Sequence, residues 1–529
     1  MPVSMERLAH LYRWLFDSRN GAGNFLIARW LFLRALGAIY FSAFFSLLFQ
    51  IKGLIGPHGI LPAQQYLAAV AHYMGANRYW NAPSLFWISA GSHMLMAVMW
   101  IGLLASVLVF FNVWPRLYLF VSFVCFLSFV AAAGDFSGYQ SDGMLLEAGF
   151  LALFFASPGL LPGLGADHPP SHASLFLLLW EWFRIYFESG MVKLLSGDPQ
   201  WRNLTAMDAY YQNSPLPTWI GWYIGHLPHW FQAATTVLTL LLEFVVVLML
   251  FFPRRVRLIC FWIVTPWQIG VILTGNYTFL NYLVAALGFL LLDDLSVRRL
   301  IPARFRPRIS VENESVAIPW LRNVLRAASV GVSAVLLTWV GYATSVEMAA
   351  MVMSRVSLPL TPVKALAPLR IANQYGLFAV MTRGRYEIEF QGSNDGTSWQ
   401  PYLFRYKPQL LDEAPGIYAP YQPRFDWNLW FASLGDWRQN QIVLLTEVRL
   451  LENDGDVLHL FRGNPFPQSP PRYVRAVLWQ YWFTSMDGKR RTGDWWRRQM
   501  LGLYAPAITL GADGEPAAVE MPAELPPHD

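Results

Sequence analysis

The residues best suited to chemistry are ionisable groups inside long apolar stretches. Glu181, Arg184 and Glu188 stand at spacings of three and four residues, so they share one face of a helix. Lys193 lies on the same stretch and is the one lysine inside such a run. Because burial disfavours a charged amine, Lys193 could serve as a general base, with Glu188 and Glu181 adjusting its basicity. Lys193, Glu188 and Glu181 are therefore the candidate catalytic residues.

Charged residues in other apolar stretches could complete a polar network with this face. Ionisable groups at membrane depth are costly and usually face a partner or a water-filled cavity. One interpretation is a polar cavity that binds or transforms a ligand, and the other is a set of buried salt bridges that fix helix packing. We favour the salt bridges because acidic and basic groups nearly balance. The predicted intramembrane network comprises Arg29, Arg34, Glu147, Glu181, Arg184, Glu188 and Glu243.

Signatures of soluble enzymes are missing from the sequence. It has no P-loop, no H-E-x-x-H, no G-x-S-x-G and no paired C-x-x-C. The histidine pairs His168/His172 and His226/His229 lie among prolines without a third ligand nearby. We therefore predict no metal site and no cofactor, and we do not expect an enzyme.

The composition indicates that these charges belong to a membrane protein. Charged residues make up 14% of the 529 residues and hydrophobic residues 55%, whereas about 25% of a soluble globular protein is charged. So few charges cannot cover a surface that faces water. Basic residues occur in short segments between apolar runs, which is typical of membrane topology and argues against nucleic acid as a partner.

Nine apolar stretches are candidates to cross the hydrocarbon core, which is about 30 Å thick. They are residues 25–51, 85–111, 117–133, 144–161, 175–195, 230–252, 258–274, 277–292 and 327–346. We therefore predict a polytopic α-helical membrane protein with about nine spans and a transmembrane bundle over residues 25–347. Residues 1–24, with apolar side chains at helical spacing between arginines, are predicted to form an amphipathic interfacial segment.

The distribution of basic residues predicts the orientation of the chain. With a cytoplasmic N-terminus, the inner segments contain 14 lysines and arginines and the outer loops contain three. Positive charges collect on the cytoplasmic side of membrane proteins. An odd number of spans then leaves everything after Val346 outside the cytoplasm. The expected location is the bacterial inner membrane, or the endoplasmic reticulum membrane if the protein is eukaryotic.

The part outside the membrane changes to strand-like patterns after a predicted linker at residues 348–374. Alternating side chains, turn residues and regular prolines and glycines predict a β-sandwich over residues 375–510. The strand candidates are residues 386–390, 399–406, 442–451, 457–461 and 474–484. The acidic, proline-rich residues 511–529 are predicted to be a disordered tail.

Aromatic and proline-rich segments of this outer domain are candidate binding surfaces. Aromatic side chains bury large areas and commonly anchor interfaces, although packing in a sandwich core would explain about half of them. Arg424 and Asp426 are close enough in sequence to pair and order a loop. The candidate binding residues are Arg424, Asp426, Trp427, Trp430, Asn464 and Phe466.

Six segments between about residue 25 and residue 505 occur in the order found in one membrane-protein family. They include GYQSDGMLLEAGFLALFF (138–155), YQPRFDWNLWFASLG (421–435) and NPFPQSPPRYVRA (464–476). The other three cover residues 28–63, 189–218 and 493–498. In these segments the chain resembles the lipase maturation factors.

This resemblance implies a membrane-anchored folding or maturation factor whose outer domain lies outside the cytoplasm. Its partners would be the lipid bilayer and secreted client proteins, such as lipases or other hydrolases, to which the candidate binding residues would bind. The outer domain has no cysteine, and Tyr421 stands where the family commonly has histidine. These departures suit a bacterial member.

Two other hypotheses remain open from the sequence. A multi-span bundle with an outer β domain is also the plan of the vitamin K-dependent carboxylase, an integral membrane enzyme with a polar intramembrane site. The turn GSNDGTSW (392–399) is similar to one in discoidin-type sandwiches and favours a glycan- or lipid-binding module outside the cytoplasm. The sequence indicates no oligomeric state.

Overall fold

Helices dominate the described residues before residue 370. The computed structural model describes residues 5–300, 319–353, 358–511 and 514–524. The first helices are α1 (Met5–Phe16), α2 (Leu26–Leu48), α3 (Ile51–Ile55), α4 (Ala63–Met74), α5 (Arg78–Asn81), α6 (Ser92–Phe110), α7 (Pro115–Val130), α8 (Gln140–Phe155) and α9 (His172–Leu195). They are followed by α10 (Pro199–Arg202), α11 (Ala206–Asn213), α12 (Trp219–Gly225), α13 (His229–Leu241), α14 (Arg254–Thr274), α15 (Leu280–Gly288), α16 (Asp294–Leu300), α17 (Pro319–Val352) and α18 (Thr361–Leu366).

Five helices in the described part of the chain are long and apolar enough to cross a membrane. They are α2, α6, α13 with its continuation to Phe251, α14, and α17 from Asn323 onward. Two shorter apolar helices are α7 and the segment Leu280–Leu291, which contains α15. The polytopic helical character is therefore confirmed. The predicted count of nine is not, since α8 and α9 occupy two of the nine stretches and fall outside both groups.

Helix α9 runs through the middle of the bundle and is buried on most sides. It packs against α8, α15, α17 and the continuation of α13. Its first turn is capped by Ser171, whose hydroxyl accepts a hydrogen bond from the Ser174 N–H at 3.2 Å. Trp182 and Arg184 are both fully buried. A helix surrounded by other helices can carry charged side chains only where those helices or their loops supply partners.

The continuation of α13 departs from α-helical geometry near the middle of the bundle. Residues Leu242–Val246 form a wide π turn, and Val247–Phe251 form a tighter 3₁₀ turn. The π turn carries Glu243, which is buried. Such turns inside helices are frequent at functional sites because they redirect a side chain.

A single antiparallel sheet forms the core of the C-terminal domain. Its strands are β1 (Arg385–Ser393), β2 (Gln400–Pro401), β3 (Tyr473–Phe483), β4 (Trp496–Leu503), β5 (Ala507–Leu510) and β6 (Pro516–Glu520). Strand β3 is central: it pairs with β1 along nine residues, while β4 and β5 share its other edge. Strand β2 pairs with β1, and β6 with β5.

The predicted β-sandwich is not confirmed, because helices cover this sheet in the described residues. Helices α19 (Arg424–Ala432) and α20 (Gln441–Leu451) pack against the sheet, and the domain also contains α21 (Gly455–Leu458) and α22 (Met486–Thr492). The strand predicted at residues 442–451 was wrong. Its buried residues Ile442, Val443, Thr446 and Leu450 recur at helical spacing, and α20 packs against β3.

The segments that we predicted to be a linker and a disordered tail both contain regular secondary structure in the described residues. Residues 348–374, expected to be a linker, include the end of α17 and the helix α18. The stretch that follows α18, residues 370–384, is called here the connecting segment, and it lies between the bundle and the sheet domain. Strand β6 falls inside residues 511–529, where we expected a disordered tail, and it pairs with β5.

Candidate functional site

A cavity of about 540 Å³ lies where the bundle, the connecting segment and α19 meet, and it is called here the interface cavity. The bundle contributes the start of α8, α11 and the start of α15, and the connecting segment contributes residues 376–382. Helix α19 contributes Trp427, Asn428, Trp430 and Phe431. Volumes of about 300–1,000 Å³ are typical of ligand-binding cavities.

Aromatic rings from all three parts pack against one another around the interface cavity. The ring of Tyr139 meets that of Trp427 edge-on, with centroids 5.6 Å apart. Phe378 of the connecting segment lies 5.5 Å from Tyr210 and 5.2 Å from Tyr277. Edge-to-face contacts of this kind stabilise a fixed arrangement of rings. The cavity therefore has rigid, largely apolar walls.

Three buried side-chain donors on α19 belong to residues that line the interface cavity, and they have no partner in the described part of the chain. They are the indole N–H groups of Trp427 and Trp430 and the side-chain amide of Asn428. All three residues are buried. A buried donor without an acceptor costs about 1–3 kcal/mol. These three donor atoms have almost no accessible surface, so an acceptor could reach them only after the side chains around them move.

An ion pair between α19 and α8 fixes the position of these donors. Arg424 donates two hydrogen bonds to the Asp142 carboxylate, each 2.7 Å long, and a third of 2.8 Å to the Phe136 carbonyl. Both charged side chains are fully buried. A buried bidentate pair of this kind holds its two elements in one orientation. Arg424, which we predicted to bind a client, is therefore out of reach of one.

Asp426 orders a neighbouring loop instead of pairing with Arg424 as we expected. Its Oδ1 atom accepts hydrogen bonds from the Tyr406 N–H at 3.2 Å and the Lys407 N–H at 3.0 Å. Burial raises the pKa of Asp426 to about 6, because desolvation outweighs the stabilisation of the charged form by these N–H groups and by the Lys407 amine.

Asn464 and Phe466 lie elsewhere in the sheet domain and do not line the interface cavity. The Asn464 side chain accepts a hydrogen bond from the Phe466 N–H at 2.8 Å, which closes a turn. The Phe466 ring lies 6.1 Å from that of Tyr402 and occupies the space where a Cβ at Gly392 would be. Of the six candidate binding residues, the structure brings only Trp427 and Trp430 to the cavity.

The buried charges of α8 and α9 hold the connecting segment in place. Arg184 forms an ion pair with Glu147 and donates a hydrogen bond to the Asn373 carbonyl at 2.6 Å. Glu147 also accepts hydrogen bonds from the Tyr375 hydroxyl at 2.8 Å and the Asn373 N–H at 3.1 Å. Glu188 accepts one from the Tyr375 N–H at 2.7 Å. These contacts are those expected of charges that fix packing.

Glu181 is the member of this cluster with the fewest contacts. It is fully buried, and neither carboxylate oxygen makes a hydrogen bond of normal geometry within the described residues, although Tyr375 and Arg184 are close enough to interact with it. Three carboxyl groups, those of Glu147, Glu181 and Glu188, thus surround one guanidinium. The near balance of charge that we expected from the sequence does not hold at this cluster.

Lys193 forms a separate group with Glu243. Its amine donates hydrogen bonds to the Glu243 carboxylate at 2.6 Å, the Leu377 carbonyl at 3.0 Å and the Ser189 carbonyl at 3.2 Å. An ammonium group has three donors, and all three are used. This arrangement favours a structural role for Lys193, and a role as general base stays a prediction.

The two arginines of α2 are not part of either charged group. Arg29 donates to backbone carbonyls, among them those of Leu164 at 2.6 Å and His168 at 2.7 Å. The Arg34 guanidinium lies over the Trp30 ring, 3.8 Å from its centroid. Within the described residues, no group of three or more histidine, cysteine, aspartate or glutamate side chains could hold a metal ion.

Sequence reasoning missed the connecting segment as part of the site. Asn373, Tyr375 and Phe378 lie beyond the last predicted span, and we assigned their surroundings to a linker and the start of a domain. The available signal was the apolar run 377–381, which is too short for a span and begins right after polar residues that could reach buried charges. The positive φ of Phe378, 57°, could not be inferred from its residue type.

Two family descriptions together match most of the chain. Residues 27–299 match the lipase maturation factor transmembrane domain, and residues 371–506 match the lipase maturation factor C-terminal domain. The first of these alone covers more than half of the chain. The resemblance noted from the sequence is confirmed.

Full-length relatives agree with these matches. Lipase maturation factor 1 of Bos taurus is 30% identical over 516 residues, which is 93% of this chain and 91% of that protein. Lipase maturation factor 2 of Gallus gallus is 32% identical over 589 residues, covering 91% of this chain and 81% of that protein. Lipase maturation factor 2 of Homo sapiens is 30% identical over 596 residues, covering 92% and 83%. No solved structure matches the chain.

Proposed function

Because the chain belongs to the lipase maturation factor family, we propose that it is a membrane-anchored maturation factor that helps secreted lipases or other hydrolases reach an active fold. The observation that carries this proposal beyond the family name is the interface cavity. It combines aromatic walls with partnerless donors on a helix that is anchored to the bundle. A folding factor needs such a surface to hold part of an incompletely folded client.

Trp427 and Trp430 are the residues that we propose to contact the client. Tryptophan is enriched among residues that dominate binding energy, since it buries a large apolar area and donates one hydrogen bond. Neither indole N–H has a protein acceptor in the described part of the chain. An unfolded or partly folded segment offers apolar side chains and free backbone carbonyls together, so it matches both features.

We further propose that the N-terminus is cytoplasmic and that nine crossings leave the sheet domain outside, in the periplasm or the endoplasmic reticulum lumen. Segments predicted to be inside lie at one end of the bundle: the Asp294 carboxylate accepts a hydrogen bond from the Ile27 N–H at 2.7 Å, and the Ala22 N–H donates to Pro170 at 2.9 Å. An outer loop meets the sheet domain at the other end, where Arg449 donates to the Gly59 carbonyl at 3.0 Å. The sheet domain therefore lies at the end of the bundle opposite the segments predicted to be inside, and this arrangement supports an odd number of crossings.

The experiment is to co-express a secreted lipase with the chain or its variants and to measure lipase activity per amount of secreted lipase. Replacing Ala379 with Trp fills the interface cavity, and Trp430→Ala removes one of its proposed anchors. Each should lower the activity per amount of lipase while the variant itself accumulates normally. Full activity with both variants would contradict the assignment of the cavity.

Trp399→Ala is the matched control for these variants. The Trp399 ring stacks with the Arg475 guanidinium at 4.0 Å and does not line the interface cavity. Trp399→Ala removes an indole from the same domain, so its effect on lipase maturation measures any general consequence of losing an aromatic side chain there. We expect lipase maturation with this variant to equal that with the unchanged chain.

A further inference from the structure

A second cavity, called here the lateral pocket, lies between the end of α2 and the sheet domain and has a volume of about 410 Å³. Helix α2 contributes Phe45, and Phe49 follows directly after the helix. The sheet domain contributes Arg405, Tyr421 and His459. None of these five residues lines the interface cavity, so the lateral pocket is separate from the proposed client site.

The lateral pocket lies at the depth where a bilayer changes from acyl chains to head groups. Helix α2 is one of the five helices that are long and apolar enough to cross a membrane, and its 23 residues span about 34 Å. This length slightly exceeds the hydrocarbon core of about 30 Å. The sheet domain meets α2 before its end, because the Ser42 hydroxyl donates a hydrogen bond to the Pro420 carbonyl at 2.9 Å. Phe49 therefore stands in the head-group layer, and the pocket beside it opens there.

A row of exposed phenylalanines on α2 leads into the lateral pocket. Phe41, Phe45 and Phe49 follow one another at a spacing of four residues, so they share one face, and their exposed fractions are 39%, 40% and 62%. Their rings pack in sequence, with centroids 5.8 Å and 5.0 Å apart. The Tyr421 ring, 6.5 Å from that of Phe45, closes the pocket end of the row. Exposed rings on a membrane-spanning helix face acyl chains, so one acyl chain can follow this row up to the pocket.

The polar end of the lateral pocket carries an accessible cation. Arg405 is exposed, and its Nε atom donates a hydrogen bond to the His459 carbonyl at 3.0 Å, which ties the guanidinium to the pocket. Its two terminal nitrogens have no hydrogen-bond or ion-pair partner within the described residues. A guanidinium presents a planar fork of donors that matches two oxygens of a phosphate group. Phosphate is also the anion that phospholipids place at this depth.

One carboxylate and one imidazole also line the lateral pocket, and neither takes the place of Arg405 as the anion-binding group. The Asp426 carboxylate is buried, and its Oδ1 atom already accepts hydrogen bonds from two backbone N–H groups. The His459 Nδ1 atom lies 2.6 Å from the Gly455 carbonyl, which only accepts, so Nδ1 carries the proton. In the neutral ring, Nε2 is then an acceptor that suits a head-group hydroxyl.

We propose that the lateral pocket binds one membrane glycerophospholipid, whose phosphodiester oxygens accept hydrogen bonds from Arg405 and whose acyl chain lies along Phe41, Phe45 and Phe49. The occupant is a lipid and not a free phosphate ion, because the cation stands at the upper end of a row of rings on a membrane-spanning helix. The bound lipid contacts α2 and the sheet domain together, so it stabilises their contact on the side that faces the bilayer.

The test uses the full chain, purified in the phosphate-free detergent dodecyl maltoside, with a phosphatidylglycerol that carries a photoactivatable group on its acyl chain. We expect saturable labelling of peptides from the end of α2, and excess unlabelled phosphatidylglycerol should remove it. Diacylglycerol lacks the phosphate and glycerol 3-phosphate lacks the acyl chains, so neither should compete at the same concentration.

Variants of the two ends of the pocket separate the contributions of phosphate and acyl chain. Arg405→Met keeps an apolar stem without the charge and should weaken labelling about tenfold, or about 1.4 kcal/mol. Arg405→Lys keeps a charge but loses the planar fork, so it should retain part of the binding. Phe49→Ala should weaken labelling about threefold, since contacts between the ring and the acyl chain are lost.

Arg438→Met and Phe110→Ala are the matched controls. Arg438 is an exposed arginine of the same domain, Phe110 is an exposed phenylalanine of the membrane-spanning helix α6, and neither lines the lateral pocket. Labelling of both should equal that of the unchanged chain. Should Arg405→Met fail to fold, Phe49→Ala decides in its place.

Three results would overturn the assignment of the lateral pocket to a phospholipid. The first is labelling that does not saturate, which is also the result expected if the pocket holds a polypeptide. The second is labelling of folded Arg405→Met or Phe49→Ala equal to that of the unchanged chain. The third is competition by diacylglycerol or glycerol 3-phosphate as strong as that by phosphatidylglycerol.

Discussion

Arg424 and Asp142 form two parallel hydrogen bonds of 2.7 Å with both side chains fully buried, although 281 residues separate them in the chain. This pair joins α19 of the sheet domain to α8 of the bundle. It determines where Trp427 and Trp430 stand in relation to the bundle, because both follow Arg424 on the same short helix. The interface cavity therefore depends on a residue that does not touch it.

Replacing Arg424 with Met should destabilise the chain by about 3–5 kcal/mol, because the Asp142 carboxylate then stays buried without a counter-charge. Replacing Asp142 with Leu as well should restore much of the loss. The measurement is unfolding of the purified chain in detergent. Arg438→Met is the control, since Arg438 forms an exposed pair with Asp436 and should cost at most about 1 kcal/mol. A double variant no more stable than Arg424→Met would contradict this account.

Lys193→Met should lower the free energy of unfolding by about 3–5 kcal/mol, because Glu243 loses its buried partner. Lipase maturation should fall in step with this loss of stability. Lys193→Met combined with Glu243→Leu should be more stable than Lys193→Met alone. Unfolding and lipase activity are measured on the same preparations. A Lys193→Met chain that inserts and folds normally but is completely inactive would instead favour the enzyme hypothesis.

The titration of Asp426 should make the chain less stable as the pH rises from about 4 to about 6. The folded state raises the pKa of Asp426 from 3.8 to about 6, so it binds a proton that the unfolded state has already lost. The contribution of Asp426 to the free energy of unfolding is fully present below the pKa of the unfolded state and is lost as the pH rises past the pKa of the folded state. The loss amounts to about 3 kcal/mol. Denaturant unfolding between pH 4 and pH 7.5 measures it.

Asp426→Asn is the variant that isolates this titration. Asparagine keeps the Oδ1 acceptor for the Tyr406 and Lys407 N–H groups but does not ionise. We expect the difference in unfolding free energy between Asp426→Asn and the unchanged chain to grow in favour of the variant as the pH rises through this range. A difference that stays constant with pH would show that Asp426 keeps the same pKa in both states.

Alkaline phosphatase fused after Pro359 should be active, and the same enzyme fused after Arg298 should be inactive. The enzyme folds only outside the cytoplasm, and our proposed topology has the first position outside and the second inside. A cytoplasmic reporter at the same two positions should give the opposite pattern. Phosphatase activity from the Arg298 fusion would contradict the orientation.

The membrane character could be predicted because hydropathy acts locally: each long apolar run is visible without knowing what it packs against. The family resemblance was visible for a similar reason, in the order of short segments. The partners of buried charges were not predictable. Arg424 lies two residues before Asp426, yet its partner is Asp142, and no local pattern indicates a contact of that separation.

The sheet domain shows where local patterns mislead. Strand β1 was predicted at residues 386–390 because its side chains alternate, and strand β3 at 474–484 for a similar pattern. Residues 442–451 are equally rich in β-branched and aliphatic side chains but form α20. A short apolar run is compatible with either structure, and here burial of one face against β3 decides for the helix.

The contacts of Arg184 and Glu188 with Asn373 and Tyr375 have a consequence for biosynthesis. A ribosome that has just made α9 must add 180 further residues to reach Tyr375, which takes roughly 9–36 s at 5–20 residues per second. During that interval the nascent bundle holds carboxylates whose final backbone donors do not yet exist. We expect translocon-associated chaperones or bound water to shield them, and a chain truncated before residue 370 to be degraded as an unassembled membrane protein. The charges at the centre of the bundle thus report whether translation has passed the connecting segment.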